Sequence, residues 1–127
     1  MAHPSDRVYS KEHEWVMVDG DVATIGISQF AQDQLGEVVY VDLPAEGDSL
    51  KAGDSFGEIE SVKSVSELFA PVTGEILEVN SALSDTPETV NSDPHGEGWM
   101  IKIRVENASE IDALLSSGDY DAFITEG

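Results

Sequence analysis

The chain has 127 residues, with 26 Asp and Glu against 6 Lys and Arg, a formal net charge of −20 and no cysteine. That length suits one modest core, so a single domain over 1–127 is expected. The charge argues against nucleic acid and anionic membranes as partners, and the lack of thiols rules out disulfides, zinc–thiolate sites and a cysteine nucleophile.

Residues 1–13 carry few apolar groups beyond Val8 and Tyr9, and the start has neither the basic nor the apolar region of a signal peptide. No stretch approaches membrane-spanning length. A soluble, cytoplasmic protein is expected, or one of the mitochondrial matrix if a transit peptide was removed. Residues 15–27 read as a hairpin around an Asp19-Gly20 turn. Ser28 caps a short helix over 29–35, with Phe30, Ala31 and Leu35 inward and Gly36 ending it. Residues 38–43 return to strand before Pro44, and 44–55 read as loop and turn.

The segment 56–69 follows, two short runs of strand character (56–60 and 65–69) around Ser61-Val-Lys63-Ser64. It reads as a hairpin presenting Lys63 to solvent, where its amine is open to acylation; the plain alternative is a solvated turn lysine. A Schiff-base lysine requires burial or neighbouring cations, whereas the neighbours of Lys63 are carboxylates. Pro71 and Gly74 turn the chain into a strand over 75–79, and 80–98 is a long polar connection. Trp99, Ile101, Ile103 and Val105 alternate with Met100, Lys102 and Arg104, as in a half-buried strand. Helical spacing marks 108–124, where Ser109 caps a segment bearing Ile111, Leu114 and Leu115. Gly-Glu-Ile/Val recurs at 36, 57 and 74, hinting at similar strand starts. These elements indicate a mainly β fold: a small sandwich or flattened barrel with a short internal helix and C-terminal helices.

Other constellations carry less. Asp93-Pro-His95-Gly-Glu97 alternates ligand types, but its proline and glycine suit a tight loop better than a metal site. His13 lies between Glu12 and Glu14 at a strand start, with no nucleophile legible beside it. Asn107-Ala-Ser109 matches a glycosylation acceptor and is idle without a secretory signal. The acidic surface favours partners with basic docking faces, although solubility or high-salt adaptation explains it equally well.

Glu60-Ser-Val-Lys63, with Gly53-Asp54 before it and Pro71-Val-Thr-Gly74 after it, resembles the attachment hairpin of lipoyl and biotinyl carrier domains. Biotin carriers usually flank the lysine with methionines, where this chain has Val62 and Ser64. Glu60, three before the lysine, and Gly74, eleven after it, resemble the pattern of the glycine cleavage system H proteins. The likeness extends to Tyr9-Ser-Lys-Glu-His13-Glu14-Trp15-Val16, Ala23-Thr-Ile-Gly-Ile27, 31–37, Asn91-Ser-Asp-Pro94 and Gly98-Trp99-Met-Ile-Lys-Ile103, covering roughly 7–124. Two positions depart from it: Ser64 where alanine is common, and Gln34 where some members carry histidine.

The resemblance implies a lipoyl-type (barrel-sandwich hybrid) fold and a non-catalytic carrier with lipoate in amide linkage to Lys63. It implies that the arm takes an aminomethyl group from the pyridoxal phosphate-dependent glycine decarboxylase. An aminomethyltransferase then passes the one-carbon unit to tetrahydrofolate, and dihydrolipoamide dehydrogenase reoxidises the dithiol. A lipoate ligase or a lipoyl/octanoyl transferase would recognise Glu60 and Gly74. Glu12, Glu14 and Glu67 are the expected acids of a cleft for the loaded arm. The alternatives are a lipoyl or biotinyl domain of another complex, whose modules are usually shorter and lack the Trp15 and Trp99 motifs, and an acidic interaction protein whose Lys63 stays unmodified.

Overall fold

A meander of β1 (Val8–Tyr9), β2 (Glu14–Asp19) and β3 (Val22–Ile27) opens the fold, with Gly20 at φ 66° closing the Asp-Gly turn. The computed structural model describes residues 6–126; residues 1–5, read above for leader character, lie outside them. Helix α1 (Gln29–Leu35) begins at Ser28, whose side chain accepts from the Ala31 N–H, and ends at Gly36 with φ 79°. The most buried side chain of α1 is Gln32, while Phe30, Ala31 and Leu35 are half-buried. Its amide side chain is held by Asn91.

The remaining strands are β4 (Val38–Asp42), β5 (Ser49–Leu50), β6 (Ser55–Ser61), β7 (Val65–Phe69), β8 (Gly74–Val79) and β9 (Ile101–Val105). They form two antiparallel sheets: one ordered β1-β2-β3-β9-β8-β5, the other β4-β6-β7. The sheets stack as a sandwich, not a closed barrel. Val16, Ile25, Ile76, Ile101 and Ile103 of the larger sheet share one core with Val41, Ile59 and Leu68 of the smaller. Each such side chain contributes about 1.5–3 kcal/mol on burial.

Within 44–55 the two-residue β5 pairs with β8, so that segment is not loop throughout. The connection over 80–98 also holds two short helices, α2 (Ala82–Asp85) and α3 (Thr89–Ser92), which bury Leu83 and Val90. Met100, expected on the polar face, is fully buried; it precedes β9, and its N–H donates to the Ile25 carbonyl at 2.8 Å. The C-terminal helical segment comprises α4 (Ser109–Asp112) and α5 (Ser117–Glu126). Ser109 is the first residue of α4 and not its cap; Asn107 Oδ1 accepts from its N–H at 3.1 Å. A second core forms where Tyr120 of α5 stacks on Tyr9, ring centroids 4.8 Å apart, beside Trp15. Trp15 Nε1 donates to the Pro94 carbonyl at 2.8 Å.

Candidate functional site

The β6–β7 hairpin turns through Val62, Lys63 and Ser64. Ser61 N–H donates to the Ser64 carbonyl at 2.8 Å, and Ser61 Oγ accepts from the N–H groups of Lys63 and Ser64, each at 3.2 Å. One serine side chain thus satisfies two of the tip's N–H groups. Val62 N–H donates to the Glu37 carbonyl at 3.0 Å, tying the tip to the turn after α1. Lys63 is exposed, and its stem passes over Gly36, where a Cβ would lie 3.2 Å from Lys63 Cε. Glycine suits that position twice, through its left-handed φ and the lysine above it.

Asn91 holds the turn from behind. Its Nδ2 donates to the Gln32 Oε1 at 2.8 Å and the Gly36 carbonyl at 2.7 Å, while its Oδ1 accepts from Val38 N–H at 2.8 Å. Sequence spacing gave no sign of this role, because Asn91 meets these groups from across the fold.

Beside the hairpin lies a cavity of about 290 Å³, of a size with the smaller ligand pockets. Phe30, Leu35, Ile59 and Leu68 provide apolar wall, and Gln34 also lines it. Glu12, Glu14 and Glu67, expected together from sequence, all line this cavity. They are not equivalent: Glu12 and Glu67 are exposed, whereas Glu14 is 2 % exposed. Glu14 Oε1 accepts from Ser10 Oγ at 2.6 Å, and Oε2 accepts from Phe69 N–H at 3.3 Å. Burial pushes the Glu14 pKa up to about 8 against the pull of the Ser10 and Phe69 hydrogen bonds, with a further small rise from the Glu12 charge. The carboxyl is therefore mostly protonated at neutral pH.

His13 lines the same cavity in a left-handed conformation, φ 71°. Its Nδ1 is hydrogen-bonded to Tyr120 Oη at 2.7 Å, and Tyr120 Oη to Ser28 Oγ at 2.8 Å. Burial holds the imidazole pKa below the usual histidine range. The Glu-His-Glu run at a strand start was the one sign in the sequence; the Tyr120 contact spans 107 positions.

Glu60 is half-buried between Tyr40 and Val65 on the neighbouring strands. Gly74 lies away from the tip, buried in the larger sheet, where a Cβ would overlap the Arg104 carbonyl. The 93–97 segment is a tight loop: Asp93 Oδ2 accepts from Glu97 N–H at 2.9 Å, and His95 Nε2 from Gln29 N–H at 3.3 Å.

A lysine displayed on a braced hairpin, beside an apolar cavity with a buried carboxyl, defines a lysine-presenting carrier domain of the lipoyl type. The profile of the family described as Glycine cleavage H-protein matches residues 7–127. The Glycine cleavage system H protein of Carboxydothermus hydrogenoformans is 51 % identical over 123 residues, 97 % of this chain and 95 % of that protein. That of Symbiobacterium thermophilum is 52 % identical over 124 residues, covering 98 % and 97 %. The crystal structure of a Mycobacterium marinum H protein superposes with TM-score 0.89 at 38 % identity, covering 96 % of this chain and 98 % of that one. The chain belongs to the glycine cleavage system H-protein family, the carrier component of that system.

Proposed function

We propose that the protein carries lipoate on Lys63 and shuttles between glycine decarboxylase, aminomethyltransferase and dihydrolipoamide dehydrogenase. The observation that carries this reading is the placement of Lys63: exposed at a braced tip, with its stem over Gly36 and the Glu14 cavity alongside. The residues fit the group, since the cavity offers apolar wall for a hydrocarbon arm and carboxyl groups for a cationic cargo. When bound, lipoate supplies a disulfide that accepts the aminomethyl group and electrons at one enzyme and yields them at the next two.

The chain's own part is presentation and shelter. Ser61 braces the tip backbone from which the Lys63 side chain projects. Phe30, Leu35 and Leu68 give the cavity an apolar wall. An ammonium entering the cavity favours ionised Glu14, which releases its proton as the cation seats and then holds it by a charge-assisted hydrogen bond. Glu12 and Glu67 add negative charge at the mouth. Glu60 meets the acylating enzyme, a lipoate ligase or a lipoyl/octanoyl transferase, and Gly74 contributes through the backbone course of β8. Tethering one reactive group to a mobile protein raises its local concentration at each enzyme in turn. The compartment that accompanies this reading is the cytoplasm.

Intact mass after incubation with lipoate, ATP and a lipoate ligase tests the proposal. One lipoyl increment is expected, localised to Lys63 and absent from Lys63→Arg, whose guanidinium stays protonated and accepts no acyl group. Lipoyl incorporation in that variant refutes the assignment.

A further inference from the structure

Exposed apolar side chains are concentrated around the lysine. Among the described residues the exposed large hydrophobics are Val18, Val39, Tyr40, Val62 and Val65, and all but Val18 belong to β4 or to the lysine hairpin. The register places two of these four, Tyr40 and Val65, in line. Tyr40 pairs with Glu60 and Glu60 with Val65, so these three form one row across the outer face of the smaller sheet. The next row on that face is Asp42, Glu58 and Glu67, paired in the same way. Carboxylates directly opposite on adjacent strands repel one another and destabilise a sheet. Among the described residues the ion pairs of Arg7, Lys102 and Arg104 go to Asp6, Glu78 and Glu75, leaving this acidic row without an internal cation.

We propose that this outer face, with Tyr40 and Val65 on either side of Glu60 beside an acidic row, is the docking surface for the enzyme that acylates Lys63. The inference rests on the reading of Lys63 as the attachment site. Its geometric argument is proximity. To form the amide, an enzyme must bring the carbonyl carbon of its acyl adenylate to Lys63 Nζ; the N–C bond forms while AMP and a proton leave. Its surface must therefore touch the residues beside the tip. Enzymes that act on the far end of a long arm are held away from the tip by that arm. The partner surface accordingly offers apolar contacts to Tyr40 and Val65 and lysine or arginine to Glu60 and the acidic row.

The test compares initial rates of Lys63 acylation by a lipoate ligase with lipoate and ATP, read by mass spectrometry over a range of carrier concentrations. Tyr40→Ser/Val65→Ser is expected to lower kcat/KM on the order of tenfold, with far-UV spectrum and melting temperature retained. Val65→Thr, which keeps the β-branch, provides a milder variant if the double one folds poorly, and a smaller loss is expected from it. Val18→Ser, at the exposed valine off this face, is expected to match wild type. Asp42→Asn/Glu58→Gln is expected to flatten the fall in rate on raising salt. Wild-type rates in Tyr40→Ser/Val65→Ser and Val65→Thr overturn the inference. So does a loss confined to the reaction of the pre-lipoylated variant with glycine decarboxylase, or a wild-type dimer that the double variant disperses. Failure of wild type to be acylated overturns instead the reading of Lys63 on which the inference stands.

Discussion

Replacing Glu14 by glutamine preserves the shape of the buried side chain and removes its titration. In the folded protein the carboxyl titrates near pH 8, against 4.5 as the ordinary value. Between those values the folded state holds a proton that the unfolded chain has lost, so stability is greatest at the acid end and falls as pH rises towards 8. At about 1.4 kcal/mol per pH unit the full shift corresponds to at most about 5 kcal/mol. Between pH 6 and 8 the loss is roughly 2 kcal/mol, because the proton is already half released at the upper limit. His13 acts in the opposite sense: its lowered pKa makes stability rise with pH through the range just below the ordinary histidine value of 6.5, so the comparison is best made above it. Glu12, the other acid whose charge bears on Glu14, is present in both proteins. Urea unfolding at fixed ionic strength, from pH 6.5 to 8.5, should show wild type losing stability relative to Glu14→Gln. Parallel curves would refute the argument that Glu14 is a buried neutral acid.

Glu60→Gln should lower the rate of lipoylation while leaving the melting temperature within a degree or so, as measured by mass spectrometry and thermal melts side by side. Gly74→Ala should destabilise the fold by roughly 1–3 kcal/mol in urea unfolding, because the added methyl overlaps the Arg104 carbonyl in a packed sheet. Once fully lipoylated, loaded and separated from the decarboxylase, Glu14→Ala/Glu67→Ala should release formaldehyde and ammonia faster than wild type; identical decay would remove the acids from any protective part.

The features legible in the sequence were local ones. The Asp19-Gly20 turn, α1 between its Ser28 cap and Gly36, and the lysine hairpin each rest on contacts a few positions apart. The Gly-Glu-Ile/Val triplets mark strand starts at 36 and 74, but Gly57 falls inside β6 at a register shift. The readings that failed depended on distant partners. Met100 joins the core as its N–H bonds to the Ile25 carbonyl, β5 is a strand only by virtue of β8, and Leu83 and Val90 fold 80–98 onto the core. At the site, the acids were legible as a group, but their inequality was not. Glu14 differs from Glu12 because Ser10 and Phe69 enclose it, and no spacing rule reports enclosure.

The order of the larger sheet also bears on how the chain is made. All three strands of the smaller sheet have been translated once residue 69 has left the ribosome, since β4, β6 and β7 lie within residues 38–69. The larger sheet cannot close until β9 arrives, because β9 lies between β3 and β8 and sets Ile101 against Ile25. Closing a loop of that span has an entropic cost that local pairing avoids, and such long-range pairing slows folding. Until β9 is translated β3 has an unpaired edge and the shared core lacks Ile101 and Ile103, so nascent chains are most open to aggregation in that interval.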